Sequence, residues 1–188
     1  MDIKLLLSET VTILKQGGII LYPTDTVWGI GCDATNSLAV QKIYKLKQRE
    51  DSKALICLVN NYSMLEKHVD NVPKLAYNIL DLAVNPTTVI YDNPAGVSEN
   101  LIASDNTLAI RIVDHDFCKK LIKYLGRPLV STSANLAGEP TPKSFKEIDE
   151  AIIKGVDYVV NLQKEKVAKN PSTIIKLSNS GGVKIIRE

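Results

Sequence analysis

Gly17-Gly18-Ile19-Ile20-Leu21-Tyr22-Pro23-Thr24-Asp25-Thr26-Val27-Trp28-Gly29-Ile30-Gly31 decides how this chain is read. It opens as a short apolar run suited to a buried strand, Ile19 to Tyr22, which Pro23 stops. A polar loop follows, closed by glycines and holding the chain's one tryptophan. Polar side chains at the exit of a buried strand can build a binding site or simply cap a turn, and the stretch by itself leaves both open.

On its N-terminal side, Ile3, Leu6, Leu7, Thr10, Ile13 and Leu14 recur at helical spacing and end at Gly17-Gly18, which predicts an amphipathic helix from Asp2. On its C-terminal side, Asn36-Ser37 can cap a helix carrying Ala39, Val40, Ile43 and Leu46. Ala54 to Val59 reads as a buried strand, and Ser63 to His68 and Val72 to Leu82 as helices, the second opening at Asn71-Val72-Pro73. Thr87 to Tyr91 and Thr107 to Val113 are strand-like, separated by a Pro- and Gly-containing loop that either wanders or forms a short edge hairpin. Asp114 can cap the helix bearing Phe117, Leu121, Ile122 and Leu125, which Gly126 ends. Pro128 to Ser131 is a short apolar run. Ser144 with Glu147 is a capping-box pattern ahead of Ile148, Ala151 and Ile152. Tyr158 to Leu162, Ser172 to Leu177 and Val183 to Ile186 close the chain as strands, the last two joined as a hairpin across Ser178 to Gly182. Helices alternating with strands early and paired strands late predict an α/β fold with a mixed sheet.

Composition narrows the function classes. With 45% hydrophobic and 23% charged residues over 188 positions, the chain has the make-up of a globular domain. A net charge of +2 does not by itself announce a nucleic-acid binder. Basic residues do gather locally, at Lys42, Lys45, Lys47, Arg49 and Lys53. Cys32, Cys57 and Cys118 lack C-x-x-C spacing and read as buried thiols of a reducing compartment, which implies a cytoplasmic protein. No secretory leader pattern is visible at the N-terminus, and no apolar run approaches the roughly 18 residues that span a membrane.

Neither G-x-x-x-x-G-K-[ST] nor G-x-G-x-x-G occurs, so phosphate would have to be held by something other than those loops. Lys47-x-Arg49 with Lys53 combines a planar donor fork with mobile point charges, suited to polyphosphate or carboxylate, although surplus lysines on a helix face are also ordinary. Arg111 interrupts the apolar strand Leu108 to Val113, where a guanidinium is costly unless it meets an anion or sits at a watery edge. Ser131, Ser133 and Asn135 offer hydroxyls and an amide at a strand end, a common ligand position in α/β sheets and also ordinary turn chemistry. Ser172-Thr173 repeats the theme. His68 and His115 have no visible nucleophile partner, and metal ligands at recognisable spacing are missing, although Asp25 could touch a magnesium ion held by substrate phosphates. Such a set suits catalysis by positioning and charge neutralisation.

Taken in order, Gly18 to Gly29, Lys47-Gln48-Arg49 with Lys53, Asn85-Pro86-Thr87-Thr88, Ala109-Ile110-Arg111, Ser131-Thr132-Ser133-Ala134-Asn135 and Pro171 to Ile175 resemble the YrdC/Sua5 family of threonylcarbamoyl-AMP synthases over about residues 5 to 187. The resemblance implies a twisted, open mixed sheet flanked by helices, of the YrdC/RibB-like kind, in a single domain over 1–188 without the C-terminal domain of longer relatives. It implies synthesis of L-threonylcarbamoyl-AMP and diphosphate from L-threonine, bicarbonate and ATP, a nucleotidyltransferase reaction with Mg²⁺ on the phosphates. The product would pass to separate transferase machinery that modifies adenosine 37 of tRNA. Carried onto this chain, Lys47, Arg49 and Lys53 would be catalytic, Lys47 and Arg49 facing phosphate. Thr24, Thr26, Thr88, Arg111, Ser131, Ser133, Asn135 and Ser172 would bind substrate. Glu50, Ala54, Val84 and Asn85 depart from the family pattern and bear on loop rigidity. Two rivals stand beside this reading: a double-stranded RNA or tRNA-binding module using Lys42, Lys45 and Lys47, and a nucleotide-binding sensor without turnover.

Overall fold

The computed structural model describes residues 2–48, 55–168, 170–179 and 181–188. Apolar residues at helical spacing do form the first helix, α1 (Ile3–Lys15), whose N-terminus is capped by Asp2 accepting from the Lys4 amide. The quoted stretch then makes two short strands, β1 (Ile20–Tyr22) and β2 (Gly29–Gly31), antiparallel to each other with Tyr22 opposite Gly29. β2 was not expected from the sequence, because two glycines in three residues carry no strand signal. Their smallness is what the structure uses. A Cβ on Gly31 would sit 2.6 Å from the Val130 carbonyl and 2.7 Å from the Tyr22 ring, so only glycine lets the buried tyrosine lie against this strand.

The remaining elements are α2 (Ser37–Leu46), β3 (Ile56–Val59), α3 (Tyr62–His68), α4 (Lys74–Leu82), β4 (Thr87–Asp92), β5 (Thr107–Ile112), α5 (Asp116–Leu125), β6 (Leu129–Ser133), α6 (Glu150–Gly155), β7 (Tyr158–Val159), β8 (Thr173–Leu177) and β9 (Val183–Arg187). Among the described residues they form a nine-stranded sheet in the order β7-β1-β2-β6-β3-β5-β4-β8-β9. Pairing is mixed: β1–β7, β3–β5 and β4–β8 run parallel, and the other neighbours antiparallel. The α/β architecture expected from the alternation is therefore present, including the closing β8–β9 hairpin.

Strand alternation divides the core into two layers. Ile19 and Leu21 pack with Ala39, Val40, Ile43 and Tyr44 of α2 and with Leu65 and Ile152 on one face of the sheet. Ile20, Tyr22 and Leu58 pack with Leu6, Leu7, Leu14, Phe117, Leu121 and Leu125 of α1 and α5 on the other.

Several local expectations are corrected. Asp114 does not cap α5. His115 occupies that position without a side-chain cap bond, and the Asp114 carboxylate takes Lys119 Nζ at 2.7 Å while its amide is held by Asp25. Ser144 and Glu147 do bond to each other, at 3.1 Å, but around a 3₁₀ turn (Phe145–Glu147). The α-helix begins later, capped by Asp149 through the Ala151 amide. The loop before β5 holds a 3₁₀ turn (Glu99–Leu101) in place of a hairpin, and β7 ends at Val159, short of Leu162. Gly126 ends α5 in the left-handed conformation, at φ 73°, as its position predicts. Among the described residues no helix is long and apolar enough to cross a membrane. All three cysteines are buried free thiols, and burial pushes Cys57 up to about 12.

Candidate active site

The sheet order places the polar exits of β1 and β6 and the polar entry of β8 around one opening. Register puts Gly29 opposite Ser133 and Ile56 opposite Ser131, while β5 brings Arg111 alongside Leu58. The result is a cavity of about 240 Å³ whose polar lining includes Thr24, Thr26, Arg111, Ser131, Thr132, Ser133 and Ser172, gathered from distant parts of the sequence. Thr141 and Arg187 complete its polar wall. Among the described residues no carboxylate lines it.

Arg111 is the most constrained member, with only 2% of its surface exposed. Its Nη2 meets Asp25 Oδ1 at 3.0 Å, and its Nη1 donates to Thr26 Oγ1 at 3.2 Å. Asp25 is fixed in turn, its Oδ2 accepting from the Asp114 amide at 3.1 Å. Asp25 therefore orients an arginine. Thr24 and Thr26 share a hydrogen bond of 3.1 Å, and Thr24 Oγ1 donates to the Val27 carbonyl, so the loop is shaped by its own hydroxyls as well as by Arg111.

Ser172 just precedes β8, held on two sides. Thr88, fully buried, shares a 2.8 Å hydroxyl–hydroxyl bond with it, and Arg187 donates from Nε and Nη2 to its carbonyl at 3.0 and 2.7 Å. Thr88 thus supports Ser172 from behind and is not part of the cavity wall. Arg187 was missed by sequence reasoning. Its signal was there, in Val183-Lys184-Ile185-Ile186-Arg187, a second guanidinium attached to an apolar strand, as in Ile110-Arg111-Ile112. Burial first, and then the nearby Arg111, lower its pKa.

Lys47, expected to face phosphate, lies beneath the Ser131 to Asn135 turn. Its ammonium donates to the Ser133 and Asn135 carbonyls at 2.5 and 2.6 Å, and its own carbonyl accepts from the Ala137 amide. The same turn is stitched to the first loop by the Ala134 amide on the Trp28 carbonyl at 3.0 Å. Asn135 faces a neighbouring cavity of about 310 Å³ that shares Thr141 with the first, and its amide donates to the Leu136 and Glu139 carbonyls. Arg49 and Lys53 lie outside the described residues. Trp28 packs on Phe145, ring centroids 5.0 Å apart, and so anchors the loop in the core.

Of the lysines offered to a nucleic-acid backbone, Lys42 and Lys45 are exposed on α2, Lys42 also donating to the Gly17 carbonyl at 2.8 Å, and Lys47 is buried in the turn. His68 contacts the Ala95 carbonyl and His115 contacts Gln163, neither beside a cysteine or serine of the cavity. Among the described residues no group of three His, Cys, Asp or Glu side chains could hold a metal ion.

Comparison with known proteins bears on the family and the fold. The sequence signature of the Sua5/YciO/YrdC family, described as telomere recombination, matches residues 12–188. A threonylcarbamoyl-AMP synthase of Pseudoalteromonas translucida is 36% identical over 173 residues, covering 89% of this chain and 91% of that protein. Among solved structures, E. coli YciO superposes with a TM-score of 0.85 at 25% identity, covering 100% of this chain and 90% of YciO. P. abyssi Sua5 complexed with L-threonine superposes with a TM-score of 0.82 at 23% identity, covering 94% of this chain, which spans 52% of that longer protein. Signature, sequence identity and shared fold together establish that the chain belongs to the Sua5/YciO/YrdC family.

Proposed function

We propose that this chain condenses L-threonine, bicarbonate and ATP into L-threonylcarbamoyl-AMP and diphosphate, supplying the activated group for modification of adenosine 37 in tRNA. The observation that carries the reading is the cavity itself, where two guanidiniums and the hydroxyls of Thr24, Thr26, Ser131, Ser133, Thr141 and Ser172 converge with no carboxylate among the described lining residues. Three reactants that each bear negative charge repel one another in water. A partly desolvated site that meets them with fixed donors offsets that repulsion and holds them in reacting geometry. A threonylcarbamoyl-AMP synthase related over nine-tenths of the chain, and a threonine complex of a protein with the same fold, support the choice of reactants.

Charge suggests a division of labour. Arg111 is already offset by Asp25 and suits the single charge of threonine's carboxylate. Arg187 has no carboxylate partner among the described residues and suits phosphate, with Arg49 and Lys53 proposed to join it there. Ser131, Ser133 and Ser172 supply hydroxyls for the carbamate and the nucleotide. In the reaction, threonine's amine forms a bond to the carbon of bicarbonate and water departs, giving N-carboxy-threonine. A carbamate oxygen then attacks the α-phosphorus and the bond to diphosphate breaks. The described residues do not form a metal site of their own, and Asp25 is committed to Arg111 and the Asp114 amide. Magnesium enters this proposal only as the counter-ion of the nucleotide phosphates.

The test is diphosphate release by the purified chain, with the product identified by mass. Release is expected only when threonine, bicarbonate and ATP are all present, and Arg49→Ala is expected to suppress it. Release that continues when threonine is omitted would overturn the reading. Salt-sensitive RNA binding without turnover would favour the RNA-module alternative.

A further inference from the structure

Consecutive residues of the loop after β1 face opposite ways. Thr24 and Thr26 line the substrate cavity, whereas Asp25 lines a second cavity of about 380 Å³ with Tyr62, Leu80, Val84, Pro86 and Lys119. Arg111 lines the first cavity and Asp25 the second, so their ion pair is the partition between the two. Around the guanidinium, two of three nitrogens are taken by protein: Nη2 by Asp25 and Nη1 by Thr26. The third, Nε, is buried and has no hydrogen-bond partner. Asp25 Oδ1 likewise makes no hydrogen bond, so the 3.0 Å contact between the two groups acts through charge.

We infer that Asp25 is the positioning residue for Arg111. It clamps one edge of the guanidinium, and it cancels the charge so that the site accepts one carboxylate and does not draw in phosphate. Asp25 can do this because its own carboxylate is tied by the Asp114 amide to the start of α5, which gives the clamp a rigid base. Thr26 is the second fastening, weaker because it is neutral and placed on the loop. The inference rests on the reading of this cavity as a threonine site, and it adds a residue that never touches the substrate.

A thermodynamic cycle separates positioning from general structural support. Binding of each ligand is read by isothermal titration calorimetry. L-Threonine and ATP are titrated separately into wild type, Asp25→Asn, Arg111→Ala and the double variant. Asp25→Asn keeps an oxygen for the Asp114 amide and is expected to weaken threonine about tenfold or more, with ATP within about twofold of wild type. Added to Arg111→Ala, it should cost threonine nothing further, because the group it positions is gone. Additive losses, or equal loss of threonine and ATP, would overturn the inference. Thr26→Val is the second arm should Asp25→Asn fold poorly. It should weaken threonine selectively and to a smaller degree, again only when Arg111 is present, and a selective loss that persists without Arg111 counts against the clamp. Wild type that binds threonine without releasing diphosphate would refute the synthase reading alone, leaving the cycle to judge Asp25.

Discussion

Replacing Lys47 with Met removes the ammonium while keeping a stem of similar length, and the structure gives the size of the effect. Lys47 is 2% exposed and donates to the Ser133 and Asn135 carbonyls. Each hydrogen bond from a charged group contributes roughly 1.5–3 kcal/mol, and the two together roughly 3–6 kcal/mol. Those figures are already net of most desolvation, and a residual relief of roughly 1–2 kcal/mol from no longer burying the ammonium leaves a loss for Lys47→Met of about 2–4 kcal/mol. Against the 5–15 kcal/mol typical of a domain, the variant stays folded with a lowered midpoint. With a slope of about 2 kcal/mol per molar in urea, the midpoint should fall by roughly 1–2 M. Urea unfolding followed by circular dichroism, with diphosphate release measured on the same samples, reads both effects. Activity is expected to fall further than stability alone requires, because the carbonyls freed by the substitution belong to the turn that carries Ser133. A variant that loses activity with an unchanged midpoint would refute the clasp and return Lys47 to direct phosphate contact.

Other expectations follow from single features. Arg187→Ala should raise the KM for ATP about tenfold or more while leaving that for threonine within about twofold, measured by steady-state diphosphate release; equal effects on both would refute the division of labour. Gly31→Ala should destabilise by several kcal/mol, or fail to fold, because its Cβ meets the Val130 carbonyl at 2.6 Å, which is backbone and cannot step aside. A melting temperature near that of wild type would contradict the close packing of Tyr22. The thiols of Cys32, Cys57 and Cys118 should resist Ellman's reagent at pH 8 in the folded protein and all react in denaturant, since each is buried and burial raises its pKa.

Where sequence reasoning succeeded, the signal was local. Ile19 to Tyr22, Gly126 after α5 and the hairpin across Ser178 to Gly182 are set by apolar runs and by residues that suit one backbone conformation, and all three are found. Where it fell short, the deciding partner lay far along the chain. Asp25 reads locally as a neighbour of a substrate magnesium, and its contacts are instead set by Arg111 and by the Asp114 amide. β2 is legible only once Tyr22 is seen against Gly31. Lys47 and Arg49 are two apart and suggested one shared task, yet Lys47 turns inward to the carbonyls of a turn nearly ninety positions later. Thr24, Thr26, Arg111, Ser131, Ser133 and Ser172 were nameable individually, and it took the sheet order to show that they face one opening.

Strand β9 lies at the edge of the sheet, every one of its residues is exposed, and it is bonded on one side to β8. Its last residue is Arg187, which fastens Ser172. An outermost strand with little buried surface opens at a lower free energy than the core does. Peeling back this ribbon would therefore withdraw a cation and loosen a hydroxyl of the cavity while the two core layers remained intact. Warmed gradually, the protein should fall silent before it melts, and agents that shield or pry at this one margin should tune its turnover without touching the opening itself.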